Sequence, residues 1–156
     1  MAVKPIPEGY HTVTPYLVVR DAASALEFYK KAFAATELLR FDGAGGKVMH
    51  AEIKIGDSPL MLADECPEMG ARGPQSLGGA AVSMLIYVKD VDARFNQAVA
   101  AGGKALRPVQ DQFYGDRSGT LVDPFGHVWT IATHKEDVSP EEMHKRAEAF
   151  HKQHGG

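Results

Sequence analysis

"TPYLVVRDAASALEFYKKAFAA", Thr14 to Ala35, returns further along the chain as "SMLIYVKDVDARFNQAVAAGGK", Ser83 to Lys104, at a constant step of 69 residues. Each copy opens with a short run of apolar, β-branched and aromatic residues, the composition that suits a pleated, half-buried strand. A basic residue and an aspartate follow, Arg20-Asp21 in the first copy and Lys89-Asp90 in the second. Aspartate at this junction predicts a helix start, because its carboxylate accepts from backbone N–H groups that the first turn leaves unpaired. The helices are legible in apolar spacing: Ala25, Phe28, Tyr29, Ala32 and Phe33 in one, Val91, Phe95, Ala98 and Val99 in the other. Both sets fall on a single stripe of 3.6-residue period.

After each helix the pattern changes to short extended runs, 36–42, 47–55 and 59–63 in the first half, then 104–109, 118–122 and 128–133 in the second. Glycine-bearing turns, "GAGG" at 43–46 and "PFGH" at 124–127, separate strands as hairpin connections do. The fold class is therefore α+β: two tandem βαβββ modules, about residues 11–65 and 80–134, forming a curved mixed sheet with a concave cavity and meeting edge to edge. Residues 1–134 read as one domain. The stretch "DECPEMGARGPQSLGG", Asp64 to Gly79, links the modules as a long irregular loop. Residues 135–156 form a helical tail, with Ser139 as cap, Pro140 in the first turn and acidic residues next. Within "KVMHAEIKI", alternation turns Met49, Ala51, Ile53 and Ile55 toward the helix and His50, Glu52 and Lys54 to the opposite face. That second face is either plain solvent surface or the lining of a polar cavity.

At 156 residues the chain suits one compact body. With 44% hydrophobic and 24% charged residues it is ordinary for a folded domain, which argues against global disorder. Its formal net charge of -3, with Lys and Arg scattered, excludes the basic stripe that phosphate binding on nucleic acid needs. The N-terminus "MAVKPIPEGYH" has no apolar core of signal-peptide length, and no run is long enough to span a membrane, so the expected location is cytoplasmic. A single cysteine, Cys66, leaves no internal disulfide and no CxxC motif. No phosphate loop, nucleophile elbow or Ser-His-Asp order is present.

The repeat, the segment "RDAASALEFYKKAF", the segment "HAEIKIGDSPLML" and the phrase "DPFGHVW" together resemble the vicinal oxygen chelate superfamily of glyoxalases, extradiol dioxygenases and fosfomycin and bleomycin resistance proteins. "TPYLVV", "HAE" and "DQFYGDR" are most similar to its PhnB-like branch. The resemblance covers about residues 11–134 and implies paired modules that curl into a cup, commonly in a homodimer. In catalytic members it implies a divalent metal held by His and Glu from the first and last strands of the modules. Carried onto this chain, those positions are Thr14, Leu60 or Met61, Ser83 and Thr130. None is a good ligand for such an ion, so no cofactor is expected at the family site, a divalent metal on other residues being the alternative.

His50 and Glu52 are the candidate replacements, either as a metal site completed by His11 or Asp64, as an acid–base catalytic pair, or as structural hydrogen-bond partners. Arg117 and Tyr114 offer a charge and a ring to an anionic group, the competing reading being an Asp116–Arg117 pair that pins the turn. Thr14, Tyr16, Trp129 and Thr130 complete the expected cup lining, although large aromatic groups on strands such as Tyr16 and Trp129 are more often core than ligand platform. His127 reads as a turn residue, and His144, His151 and His154 as surface groups of the tail. The function this suggests is a small-molecule-binding protein with a role in binding, sequestration or resistance, partnered by a small organic ligand and a second copy of itself. The alternatives are a metal-dependent lyase, isomerase or dioxygenase with non-standard ligands, and a purely structural dimer.

Overall fold

The computed structural model describes residues 2–155. Strand β1 (Tyr16–Val19) leads into helix α1 (Ala22–Phe33), followed by β2 (Thr36–Asp42), β3 (Val48–Ile55) and β4 (Ser58–Asp64). A one-turn helix, α2 (Pro74–Leu77), lies in the connection. The pattern then repeats as β5 (Ser83–Tyr87), α3 (Val91–Ala101), β6 (Lys104–Asp111), β7 (Asp116–Val122) and β8 (Val128–His134), and the chain closes with α4 (Pro140–His154). The two junction aspartates cap alike: Asp21 accepts from the Ser24 N–H at 3.1 Å and Asp90 from the Ala93 N–H at 3.1 Å. No helix among the described residues is long and apolar enough to cross a membrane.

Each module is a four-stranded mixed sheet, β1-β4-β3-β2 in the first and β5-β8-β7-β6 in the second. In both, the first strand runs parallel to the last and the remaining pairs are antiparallel. The register repeats with the sequence: Tyr16 stands opposite Met61, and 69 residues later Leu85 stands opposite Thr130. Alternation in β3 puts Ala51 and Ile53 against the helix and His50 and Glu52 on the other side, but Met49 departs from the expected pattern: a register shift against β2, between Phe41 and Asp42, leaves Val48 buried and Met49 exposed.

The modules meet differently from the edge-to-edge expectation. The two sheets are not hydrogen-bonded to one another, and the main inter-module packing is α1 on α3. The reason lies in α1, which buries Ala22, Ala25, Leu26, Phe28, Tyr29, Ala32 and Phe33, a stripe wider than one sheet face can cover. Its surplus is met by the second module: Trp129 of β8 lies 4.6 Å from Phe33 and 5.4 Å from Tyr29 between ring centroids. One continuous core results. On the opposite faces of the sheets Tyr16, Phe41, Leu85 and Tyr87 stand exposed, while Ser118 and Thr120 are buried and Tyr10 reaches onto Glu52.

The inter-module connection is more structured than an irregular loop. Cys66 and Ala71 form a bridge, and Glu65 accepts from the Gly73 N–H at 2.7 Å. Gly73 passes so close to β1 that a Cβ there would stand 2.7 Å from the Val18 carbonyl oxygen, which requires glycine. At the other end, α4 buries none of its residues. It is held by Phe150 against Phe113, at 5.2 Å between centroids, and by Arg146 donating to the Phe113 carbonyl at 3.1 Å.

Candidate functional site

Register places Tyr16, Met61, His50, Glu52, Leu39 and Phe41 together on the helix-free face of the first module. Their polar groups form one chain. The Tyr16 hydroxyl lies 2.8 Å from His50 Nδ1, His50 Nε2 lies 2.8 Å from Glu52 Oε2, and the Tyr10 hydroxyl donates to Glu52 Oε1. A carboxylate only accepts, so Nε2 carries the imidazole proton, and in the neutral ring Nδ1 accepts from Tyr16. Rings flank this chain on both sides, Tyr16 at 5.5 Å and Phe41 at 6.3 Å from the His50 centroid.

The electrostatics follow from these bonds. Hydrogen bonds from Tyr10 and then His50 hold the Glu52 carboxyl below its usual 4.5. Burial, then the bond to Glu52, pushes the Tyr10 phenol up to about 12. Burial and the Glu52 charge also raise Tyr16. Both phenols therefore stay protonated near neutrality. A depressed carboxyl contributes stability in full above its unfolded value and loses it as pH falls through the folded one. The stability gap between wild type and Glu52→Gln, read from urea unfolding, is thus expected to be constant above pH 4.5 and to close in more acidic buffer. A gap unchanged down to pH 2.5 would contradict this assignment.

The helix-free face of the second module carries a different set. The Thr120 and Thr130 hydroxyls share a hydrogen bond of 2.9 Å. Buried Asp116 accepts from the Tyr87 hydroxyl at 2.9 Å and pairs with His134 Nδ1 at 2.7 Å, while His134 Nε2 reaches Asp137 at 2.8 Å. These carboxylates, Asp116 first, raise the His134 imidazole. Tyr87 and Leu85 stand mostly exposed beside them.

Several sequence expectations are corrected. Trp129 is not on the cup face: it points to the helices, is 1% exposed and donates to Asp123 at 2.8 Å. Arg117 also lies on the helix side, where it forks onto Asp92 of α3 with two bonds of 2.9 Å and adds Asp111 at 3.2 Å; its partner is not Asp116. Asp64 is not available to complete a site with His50, because its two oxygens accept from the Ala22 and Val48 N–H groups at 3.0 and 2.7 Å. His127 reaches past its turn to the Val18 carbonyl at 3.0 Å, which ties the modules together. Tyr114 sits in the turn before β7, edge-on to Phe113, and His11 lies by the cleft between the modules. Tyr10, Tyr87 and His134 were not singled out from sequence; alternation along β5 and β8 would have shown the last two.

The structure also decides between Leu60 and Met61 at the position the resemblance assigns to a metal ligand. Leu60 is 5% exposed and faces the helix, whereas Met61 pairs with Tyr16 and Glu52 on the helix-free face. The donor set is then Thr14, Met61, Ser83 and Thr130: three hydroxyls and a thioether, with no carboxylate, imidazole or thiolate. Such a set does not fit a divalent cation of the family kind. Among the described residues, no three His, Cys, Asp or Glu converge as a metal site elsewhere.

The sequence profile of the glyoxalase/bleomycin resistance protein/dioxygenase superfamily matches residues 10–131, across both modules. The chain belongs to this superfamily. Among its superfamily relatives, an uncharacterized protein of Mycobacterium tuberculosis is 44% identical over 134 residues, covering 84% of this chain and 79% of that one. Solved structures with the superfamily architecture include a PhnB protein from Bacillus cereus, 22% identical, covering 79% of this chain and 99% of that one with a TM-score of 0.59. The fosfomycin resistance protein FosX from Listeria monocytogenes, 15% identical, covers 85% of this chain and 97% of its own with a TM-score of 0.61.

Proposed function

We propose that this superfamily member binds a small organic molecule on its helix-free faces, as a homodimer and without the divalent metal, in a binding, sequestration or resistance role. The observation that carries the reading is the ring-flanked chain of Tyr16, His50, Glu52 and Tyr10, which sets a few polar groups on a largely apolar wall as small-molecule sites do. The uncharged donor set at the family's metal positions favours binding over glyoxalase-type metal chemistry. For the dimer, the support is the free edges. Strands β1 and β5 each lack a partner on one side, and exposed Val13, Tyr16, Val82, Leu85 and Tyr87 lie along them. A cleft of about 1440 Å³, floored by Phe33, Leu60, Met84 and Ile86, follows β5 between the modules. A second copy that lays its own edge there would also bring one module's open face opposite the other's, which closes the cup.

Sedimentation equilibrium, together with thermal unfolding against a library of small organic compounds, tests both halves. The expected results are a particle of twice the 16.9 kDa chain mass and compounds that raise the midpoint in wild type but not in a Tyr16→Ala variant. A monomer stabilised by nothing in the library would sink the proposal.

A further inference from the structure

The N-terminal segment supplies the least expected member of the site. Residues 2–9 are exposed, and "KPIPEG" turns the chain so that Tyr10 N–H meets the Pro7 carbonyl at 3.0 Å. Lys4 bonds only to Glu8 of the same segment. Among the described residues, the side-chain hydrogen bond that fastens this segment to the body is Tyr10 to Glu52. Glu52, by contrast, is positioned from below by its place on β3 and from the side by His50. One partner is fixed and the other is a strap.

The proton inventory says what could take the strap's place. Glu52 Oε2 receives the His50 proton, so Oε1 has a single donor, the Tyr10 hydroxyl. With the Tyr16 proton directed at His50 Nδ1, the Tyr16 oxygen presents lone pairs to the open face. Two neighbouring positions therefore accept and neither donates. Around them stand Tyr16, Phe41, Leu39 and Met61, ring faces and apolar groups that suit a flat molecule and favour positive over negative charge. Lys54, the cation that register puts on this face, lies further along β3 beside Thr36 and Pro59.

We propose, resting on the small-molecule reading above, that Tyr10 is a displaceable stand-in for a ligand's donor, and that this face takes a flat, nitrogen-bearing donor such as an amidinium or aromatic amine in preference to an anion. The incoming N–H replaces the phenol on Glu52 Oε1, and a second N–H meets Tyr16. A charged donor on a carboxylate makes a stronger bond than a phenol does, which drives the exchange.

Benzamidine and benzoate test this directly, since they share a ring and a planar head but differ in charge and hydrogen-bond polarity. Amide chemical-shift titration of the full chain is expected to show benzamidine binding with shifts at residues 10, 16, 50 and 52, and benzoate at least about tenfold weaker. Tyr10→Phe should tighten benzamidine several-fold, because removal of an internal competitor raises the fraction of competent protein. Glu52→Gln should weaken it by about tenfold or more. Equal binding of benzoate, weaker benzamidine binding in Tyr10→Phe, or indifference to Glu52→Gln would each overturn the proposal. Failure of both probes while the compound library still yields ligands dependent on Tyr16 would overturn the ligand class and leave the binding reading standing; failure of probes and library together would remove both.

Discussion

Replacing Asp123 with alanine is expected to lower the unfolding free energy by about 3–5 kcal/mol, among the largest losses available from a single side chain in this protein. Asp123 is 3% exposed, in the turn between β7 and β8. Its Oδ2 accepts from the Tyr29 hydroxyl at 2.6 Å and the Trp129 indole N–H at 2.8 Å, and its Oδ1 from the N–H groups of Phe125 and His127 at 2.9 and 3.0 Å. Truncation strands four donors, two of them on large buried side chains of different modules. Each stranded donor costs about 1–3 kcal/mol in isolation, and local relaxation with water entry reduces the sum. In urea unfolding followed by tryptophan fluorescence, the midpoint should fall with an unchanged slope, and the thermal midpoint should drop by roughly 10 °C or more. Asp111→Ala, at an exposed carboxylate facing Arg117, serves as the control and should stay within about 1 kcal/mol. A loss below about 1 kcal/mol for Asp123→Ala would mean that the turn holds without its carboxylate.

This hub shows where the sequence is legible and where it stops. "DPFGH" reads as a turn from Asp-Pro and Gly alone, and strand boundaries fall within two residues of the pattern in all six runs after the helices. The repeat and alternation suffice for that because strand faces and helix stripes are local properties. Three of the donors to Asp123 lie in its own turn and the strand that follows, but the fourth is not local: Tyr29 lies 94 residues away on the other module. The same distinction governs the site. His50 and Glu52 emerge from alternation within one strand, and Tyr16 from the strand that registers against Met61. Tyr10 lies in a segment with no periodicity, and its partner is 42 residues on. Arg117 pairs with a residue that sequence adjacency does not indicate, for a related reason. Sequence adjacency suggested Asp116, but neighbours along a strand point to opposite faces, which sends Asp116 to Tyr87 and His134 and Arg117 to Asp92.

Trp129 carries the second large effect, and it separates the roles of core and cup. Trp129→Ala is expected to cost about 3–5 kcal/mol, the range for truncating a large aromatic in a packed interior. The cavity would open between β8 and α1, where Phe33, Tyr29 and Trp129 meet, and the indole N–H bond to Asp123 would go with it. Trp129→Phe restores part of the packing and none of the hydrogen bond, so it should fall between the two, about 1–3 kcal/mol below wild type. Because both groups act on Asp123, Tyr29→Phe combined with Trp129→Phe should depart from additivity, by about 0.5–3 kcal/mol. Ligand binding supplies the contrast. Trp129 faces the helices and Tyr16 faces away from them, so Trp129→Phe should leave the affinity of any compound found in the thermal screen within about twofold, while Tyr16→Ala abolishes it. A Trp129→Phe variant as stable as wild type but unable to bind would return the indole to the ligand's wall and move the site from the open face to the cleft between the modules.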